Sequence, residues 1–216
     1  MMERPTVAPP NLTLNSKLQK WGGLASFLLA VTFLVPALIY LVGDLRSAIG
    51  QLAYHLADFL YGPVWSTSLI LVVFTLREKI GNHAPRRMSL ALMSAFLSAG
   101  MMLAVAFIRS SNRQYHILHP ELGLENSIPV LVVWTTLIAG LTAVGWHFLG
   151  WTQILIGSAG WATNQLPGLL NLLYISAGAV ALFVYIFPAA EGLGILLGII
   201  ISIWQGVLFL KGIPNE

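Results

Sequence analysis

Asp58 is the one acidic residue that falls inside a long apolar run, and Tyr54, His55 and Tyr61 surround it at helical spacing, with Gly62 and Pro63 just beyond. An ionisable side chain in such a run is costly in lipid, turns toward a protein interior or water, and marks a functional candidate. A carboxylate and an imidazole at i and i+3 have the chemistry of a proton relay, Asp58 titrating and His55 passing the proton on. The plainer alternative leaves Tyr54 to Asp58 in an outer headgroup layer, because Phe59 to Leu76 alone is long enough to cross a hydrocarbon core.

Three other constellations are weaker. His147 would be the natural second ligand if His55 held a b-type haem, but at 1.5 Å per residue His55 lies about 6 Å, and His147 about 28 Å, from the outer starts of their helices. One iron cannot reach both, so His147 is expected near the inner face with an ordinary hydrogen-bond partner. His116 and His119 with Glu121 and Glu125 have zinc-ligand chemistry, yet Pro120 interrupts the helical turn that would bring the imidazoles together. Ser158 in Gly157-Ser158-Ala159-Gly160 has no histidine after it in the chain to serve as a base for an intramembrane protease. No catalytic residue, cofactor or metal site is assigned, and the chain is not expected to be an enzyme.

The composition decides the class. Hydrophobic residues make up 57% of the 216 and charged residues only 9%, with a mean hydropathy of +0.80, a balance foreign to a soluble domain. The net charge of +3 does not indicate nucleic acid, because the basic residues flank apolar runs and form no continuous arm or face. Cysteine is absent, which removes disulfides, thiolate ligands and covalent haem attachment.

Hydropathy predicts an all-α integral membrane bundle of six transmembrane helices in one domain, residues 17–211, between a disordered tail, 1–16, and a short C-terminal tail, 212–216. The expected spans are Trp21 to Val42, Gln51 to Leu76, Met88 to Ile108, Ile128 to Ile156, Pro167 to Phe187 and Gly192 to Leu210. Residues 109–127 are read as the longest internal loop, and Gly157, Gly160, Asn164, Gln165 and Pro167 as the turn between the fourth and fifth spans. Pro36, well inside the first span, removes a backbone donor and requires that helix to be packed against others.

Orientation follows from basic residues, which accumulate on the cytoplasmic side of short connections. With both termini inside, Arg4, Lys17, Lys20, Arg77, Lys79, Arg86, Arg87 and Lys211 are cytoplasmic, against only Arg46, Arg109 and Arg113 outside. Arg77, Lys79, Arg86 and Arg87, in one short loop, carry the strongest orientation signal and suit contact with anionic lipid headgroups. The expected location is the cell's inner (plasma) membrane, multi-pass.

Small residues indicate how the helices meet. Gly194, Gly198, Ser202 and Gly206 recur every fourth residue in the last span, a stripe where another backbone can approach, within the chain or in a homo-oligomer. Ala91, Ala95 and Ala99 with Ser94 and Ser98 offer a similar face in the third span, and Ala177 and Ala181 in the fifth. Trp21, Trp134, Trp146, Trp151, Trp161 and Trp204 are expected to form an aromatic belt at the span ends.

In the C-terminal half, Gly150-Trp151, Leu155 and Gly157, then Pro167, Leu170 and Gly178, and finally Trp204, Lys211 and Gly212 form a pattern that resembles a bacterial membrane family, domain-of-unknown-function family 4386. The order of spans from Trp21 onward is similar too. The resemblance implies a helical bundle of about six spans and no established activity. Members of that family often carry an Arg and Glu pair in the third span, where this chain has Ser94 and Ser98, so any role of that pair does not carry over.

Scarce buried polar groups and abundant small-residue faces point first to a structural or accessory subunit of a larger membrane assembly, with membrane lipids, other membrane-protein subunits or further copies of itself as partners and no nucleic acid. A small proton-linked carrier using Asp58 and His55 is the alternative, and a quinone- or pigment-binding electron-transfer subunit is the third.

Overall fold

The structure, a computed structural model, describes residues 12–43, 48–118 and 123–211. Among these residues every element is helical: α1 (Leu12–Val42), α2 (Ala48–Phe59), a π-helical turn (Leu60–Val64), α3 (Trp65–Ile80), α4 (Pro85–Leu118), α5 (Gly123–Thr163), α6 (Gly168–Phe183) and α7 (Ala190–Lys211). Because α2, the π turn and α3 form one continuous rod, the chain is a bundle of six helices. Each rod packs against the next in sequence, and α1 packs against α7, so the six close into a ring. Short connections force antiparallel neighbours, and the ring buries one apolar stripe of each.

Five helices are long and apolar enough to cross a membrane, counting α2 to α3 as one, while α6 is a shorter apolar helix of 16 residues. At 1.5 Å per residue, α6 is about 24 Å long, shorter than a hydrocarbon core of about 30 Å. The expected fifth span ran on to Phe187; the helix stops at Phe183 because turns take up the residues before Pro188.

Several expected boundaries move. α1 begins at Leu12, inside the expected disordered tail, because no proline follows Pro10 to stop a helix there. The rest of that tail and the C-terminal tail lie outside the described residues. Residues 109–118, expected as loop, continue α4 as helix: no glycine or proline interrupts them, and Arg113 is anchored to a neighbouring rod. His119 and Glu121 lie outside the described residues.

α5 starts at Gly123, before its expected Ile128, and ends at Thr163, beyond Ile156. Gly157 and Gly160 therefore sit inside a helix. A Cβ on Gly157 would stand 2.7 Å from the Asn171 carbonyl oxygen, so these glycines permit close approach of α6. The turn itself is made by Asn164, whose φ of 53° is left-handed, a conformation asparagine tolerates better than most residues.

Backbones approach closely between α5 and α6, where a Cβ on Gly178 would stand 2.6 Å from the Gly150 carbonyl. The α7 stripe mostly receives rings: Trp146 lies against Gly194, Phe33 against Gly198 and Phe27 against Gly206. Backbone nears it where Gly23 of α1 faces the Gly206 carbonyl. Ala91, Ala95, Ala99, Ala177 and Ala181 are all buried. Trp146 departs from the expected belt, since Gly194 leaves room for its indole in the core; Trp21, Trp151 and Trp161 are exposed.

Contacts along the ring sort the charges by end. Gly22 of α1 faces Thr75 of α3, Gly23 faces Leu210 of α7, and the Arg87 guanidinium donates to the Ser158 carbonyl of α5 at 2.9 Å. Lys17, Lys20, Arg77, Lys79, Arg86, Arg87 and Lys211 consequently gather at one end of the bundle. Arg109 and Arg113 lie at the other.

Candidate functional site

At that second end α1, α2, the π turn, α4 and α7 converge. Pro63 has no N–H to offer, and the ladder resumes when the Trp65 amide reaches back to the Gly62 and Leu60 carbonyls, widening the turn. Gly62 is needed here for a second reason: a Cβ would stand 2.3 Å from that of Ala106 on α4. A Gly-Pro pair is a natural helix breaker, yet here the chain passes through it as a bulge that holds the π turn in close contact with α4.

Asp58 is 2% exposed. Its Oδ2 accepts from Arg113 Nη2 at 2.5 Å and its Oδ1 accepts from the Tyr40 hydroxyl at 2.7 Å, so both carboxylate oxygens have partners within the chain. Arg113 lies over the Tyr54 ring at 5.3 Å, and the Tyr54 hydroxyl donates to the Gly43 carbonyl at 3.3 Å. His55 turns to Ser110, with Nδ1 and Oγ 3.3 Å apart. Among the described residues no hydrogen bond joins His55 to Asp58. Tyr54, Asp58 and Tyr61 thus share a buried face as their spacing indicated, while His55 stands beside it against α4.

Arg109 lies one helical turn from Arg113 and faces a cleft of about 260 Å³ lined by Phe33, Pro36, Tyr40, Tyr61, Glu191 and Ile195, among others. Its guanidinium stands 5.6 Å from the Tyr40 ring centre and 5.9 Å from that of Tyr61, and Nη1 donates to the Tyr40 hydroxyl at 3.4 Å. Among the described residues no carboxylate lies within ion-pair distance of Arg109. Glu191, from the first turn of α7, lines the same cleft and makes it bipolar.

Of the sequence candidates, Asp58, Tyr54 and Tyr61 belong to this site. Tyr40, Arg109, Arg113 and Glu191 were not singled out, although Arg109 and Arg113 are spaced i and i+4 with no helix breaker between them, a readable sign that both lie on one helical face.

His147 accepts a hydrogen bond from the Trp151 indole at 3.1 Å on the outward side of α5. Its height corrects the sequence placement near one face: Gly145, two residues earlier, accepts from Ser98 at 2.8 Å, near the middle of α4. His55 is level with Ser110, twelve residues further along α4. That separates the two imidazoles by roughly 18 Å along the bundle, so they do not converge on one iron. Among the described residues no group of three His, Asp or Glu side chains is placed to hold a metal.

The fold and site thus define an all-α bundle of membrane-like apolar helices with a charged, aromatic cleft at one end. No family model, curated protein or solved structure matches the chain.

Proposed function

We propose that the protein is a multi-pass membrane protein, with both termini cytoplasmic, that binds a small zwitterionic solute in the Arg109 cleft, as a carrier would at its outer entrance. The observation that carries this reading is the division of labour between two arginines. Arg113 is occupied by Asp58, whereas among the described residues Arg109 presents its charge to the cleft with a phenol and two ring faces as its partners. An acidic group fits against Arg109, where a guanidinium can make paired hydrogen bonds, and an amine fits toward Glu191. Position supports the reading: Arg109 is 24 residues beyond Pro85, roughly 36 Å along α4, at the outer edge of a core about 30 Å thick. The cleft would then be reached from water.

The Asp58–His55 relay receives less support, because Asp58 is engaged by Arg113 and Tyr40. Asp58 is better read as the residue that fixes Tyr40 and Arg113 around the cleft.

The test is thermal unfolding of the detergent-purified protein with β-alanine or phosphoethanolamine. A ligand at a hundredfold excess over its Kd stabilises by about 2.7 kcal/mol, which raises Tm by several degrees. The rise should vanish in Arg109→Gln and Glu191→Gln. No rise with either probe, or an equal rise in Arg109→Gln, rejects the reading.

A second reading, as a subunit or homo-oligomer, is favoured by the first half of α5. Val132 and Val133 are 57% and 65% exposed, and Ile128, Leu131 and Leu137 are exposed with them, so this stretch is lightly packed within the chain. Native mass spectrometry from a mild detergent should then show a second copy or a stoichiometric partner; a bare monomer rejects it.

A further inference from the structure

Below the cleft, inside the ring, lies a second space of about 30 Å³ walled by α1, α3, α5, α6 and α7. Three of its lining residues bury a polar atom that has no hydrogen-bond partner among the described residues: Trp65 Nε1, Gln153 Oε1 and Gln205 Nε2. Their side chains are more than nine-tenths buried, so bulk water does not satisfy them. The Gln205 carbonyl is already engaged, accepting from the Tyr174 hydroxyl, which fixes that amide in place. Two N–H donors and one carbonyl acceptor therefore line one small space with no charged side chain in its wall.

Orphaned buried groups of this kind are costly when left unpaired, and three in one cavity can be met by a common partner. That partner must both accept and donate, must be uncharged and must be small. A volume of about 30 Å³ admits one or two molecules of the size of water, which forms two to four hydrogen bonds in such sites.

Phe33 lines both the chamber and the cleft. Its ring meets Trp65 edge-on at 6.1 Å and rests against Gly198, where a Cβ would stand 2.9 Å from ring carbon Cε2. The glycine of the α7 stripe thus gives this ring its seat between the two spaces.

We propose that the interior of the ring is a hydration site for one or two water molecules held by Trp65, Gln153 and Gln205, and that Phe33 is the door through which it exchanges with the Arg109 cleft. The proposal stands on the chamber's own geometry and holds whether or not the cleft takes a zwitterion.

The experiment is hydrogen–deuterium exchange of the tryptophan indoles, followed by NMR on protein labelled with 15N at tryptophan, in detergent micelles. Trp65→Phe assigns one resonance. Trp146 is the internal control, because its Nε1 is also buried, beside the Tyr61 hydroxyl, and does not line the chamber. In the unaltered protein the Trp65 indole should exchange faster than that of Trp146. Phe33→Ala should accelerate Trp65 on the order of tenfold and leave Trp146 unchanged, since local opening sets such rates. Phe33→Leu, a milder change, should shift it in the same direction. Equal, slow exchange of both indoles, insensitive to Phe33, overturns the hydration site; equal acceleration of both overturns the door, since it reports general loosening.

Discussion

At the residue scale the Asp58–Arg113 pair is the interaction whose loss should be felt most. Asp58→Asn leaves a guanidinium beside a neutral amide, and Arg113→Met leaves a carboxylate without its cation. Breaking one side of a buried pair costs about 3–5 kcal/mol, and the lower end applies here because Arg113 is 16% exposed. The combined Asp58→Asn and Arg113→Met change should cost less than the sum of the two, since neither charge is then stranded. Thermal unfolding of the three variants in detergent checks this, and strict additivity would show that the pair is not coupled. The importance of Asp58 was legible, because a lone carboxylate in an apolar run needs a partner. Its partner was not, because Arg113 is remote in sequence and the polar character of its surroundings reads equally as loop. His55 is a different case: i and i+3 spacing put it beside Asp58 on its own helix, while its hydrogen-bond contact is Ser110 of another helix, which spacing does not reveal.

At the element scale, glycines separate helices that must touch from helices that need not. Gly178 faces the Gly150 carbonyl and the Ile154 side chain and amide, so Gly178→Ala should lower stability by about 1–3 kcal/mol through overpacking of α5 against α6. Gly100, in the middle of α4, has nothing within 4 Å of a Cβ, so Gly100→Ala should be neutral or stabilise by up to about 1 kcal/mol. In thermal unfolding Gly178→Ala should lower the unfolding temperature and Gly100→Ala should not. The same geometry explains which boundaries the sequence misplaced. Gly157 and Gly160 have turn composition, but whether a glycine serves a turn or a close approach depends on what lies opposite it, here Asn171. The rods were legible because their apolar runs are long. Their ends were not, since α4 and α5 extend past the apolar segment on polar residues that helix geometry alone accommodates.

At the scale of the whole molecule, the ring sets an asymmetry that both ends share. On the cleft side the path leads from Arg109 past Phe33 to the chamber; on the other side Leu76, Ile80 and Met88, all fully buried, close the core beneath the basic residues. Among the described residues the cleft thus lies at the Arg109 end, opposite the basic end, which on the proposed orientation faces the cytoplasm. The absence of cysteine makes this directly testable, since any introduced thiol is unique. Asn82→Cys, exposed in the turn between α3 and α4, should resist a membrane-impermeant maleimide in intact cells and react after permeabilisation. Ser111→Cys, exposed on α4 beyond Arg109, should react in intact cells. The reverse pattern would turn the protein over and place the Arg109 cleft in the cytoplasm, making it an exit and not an entrance. On the proposed reading the basic residues therefore bear on more than orientation: they set the side from which a solute would enter the cleft.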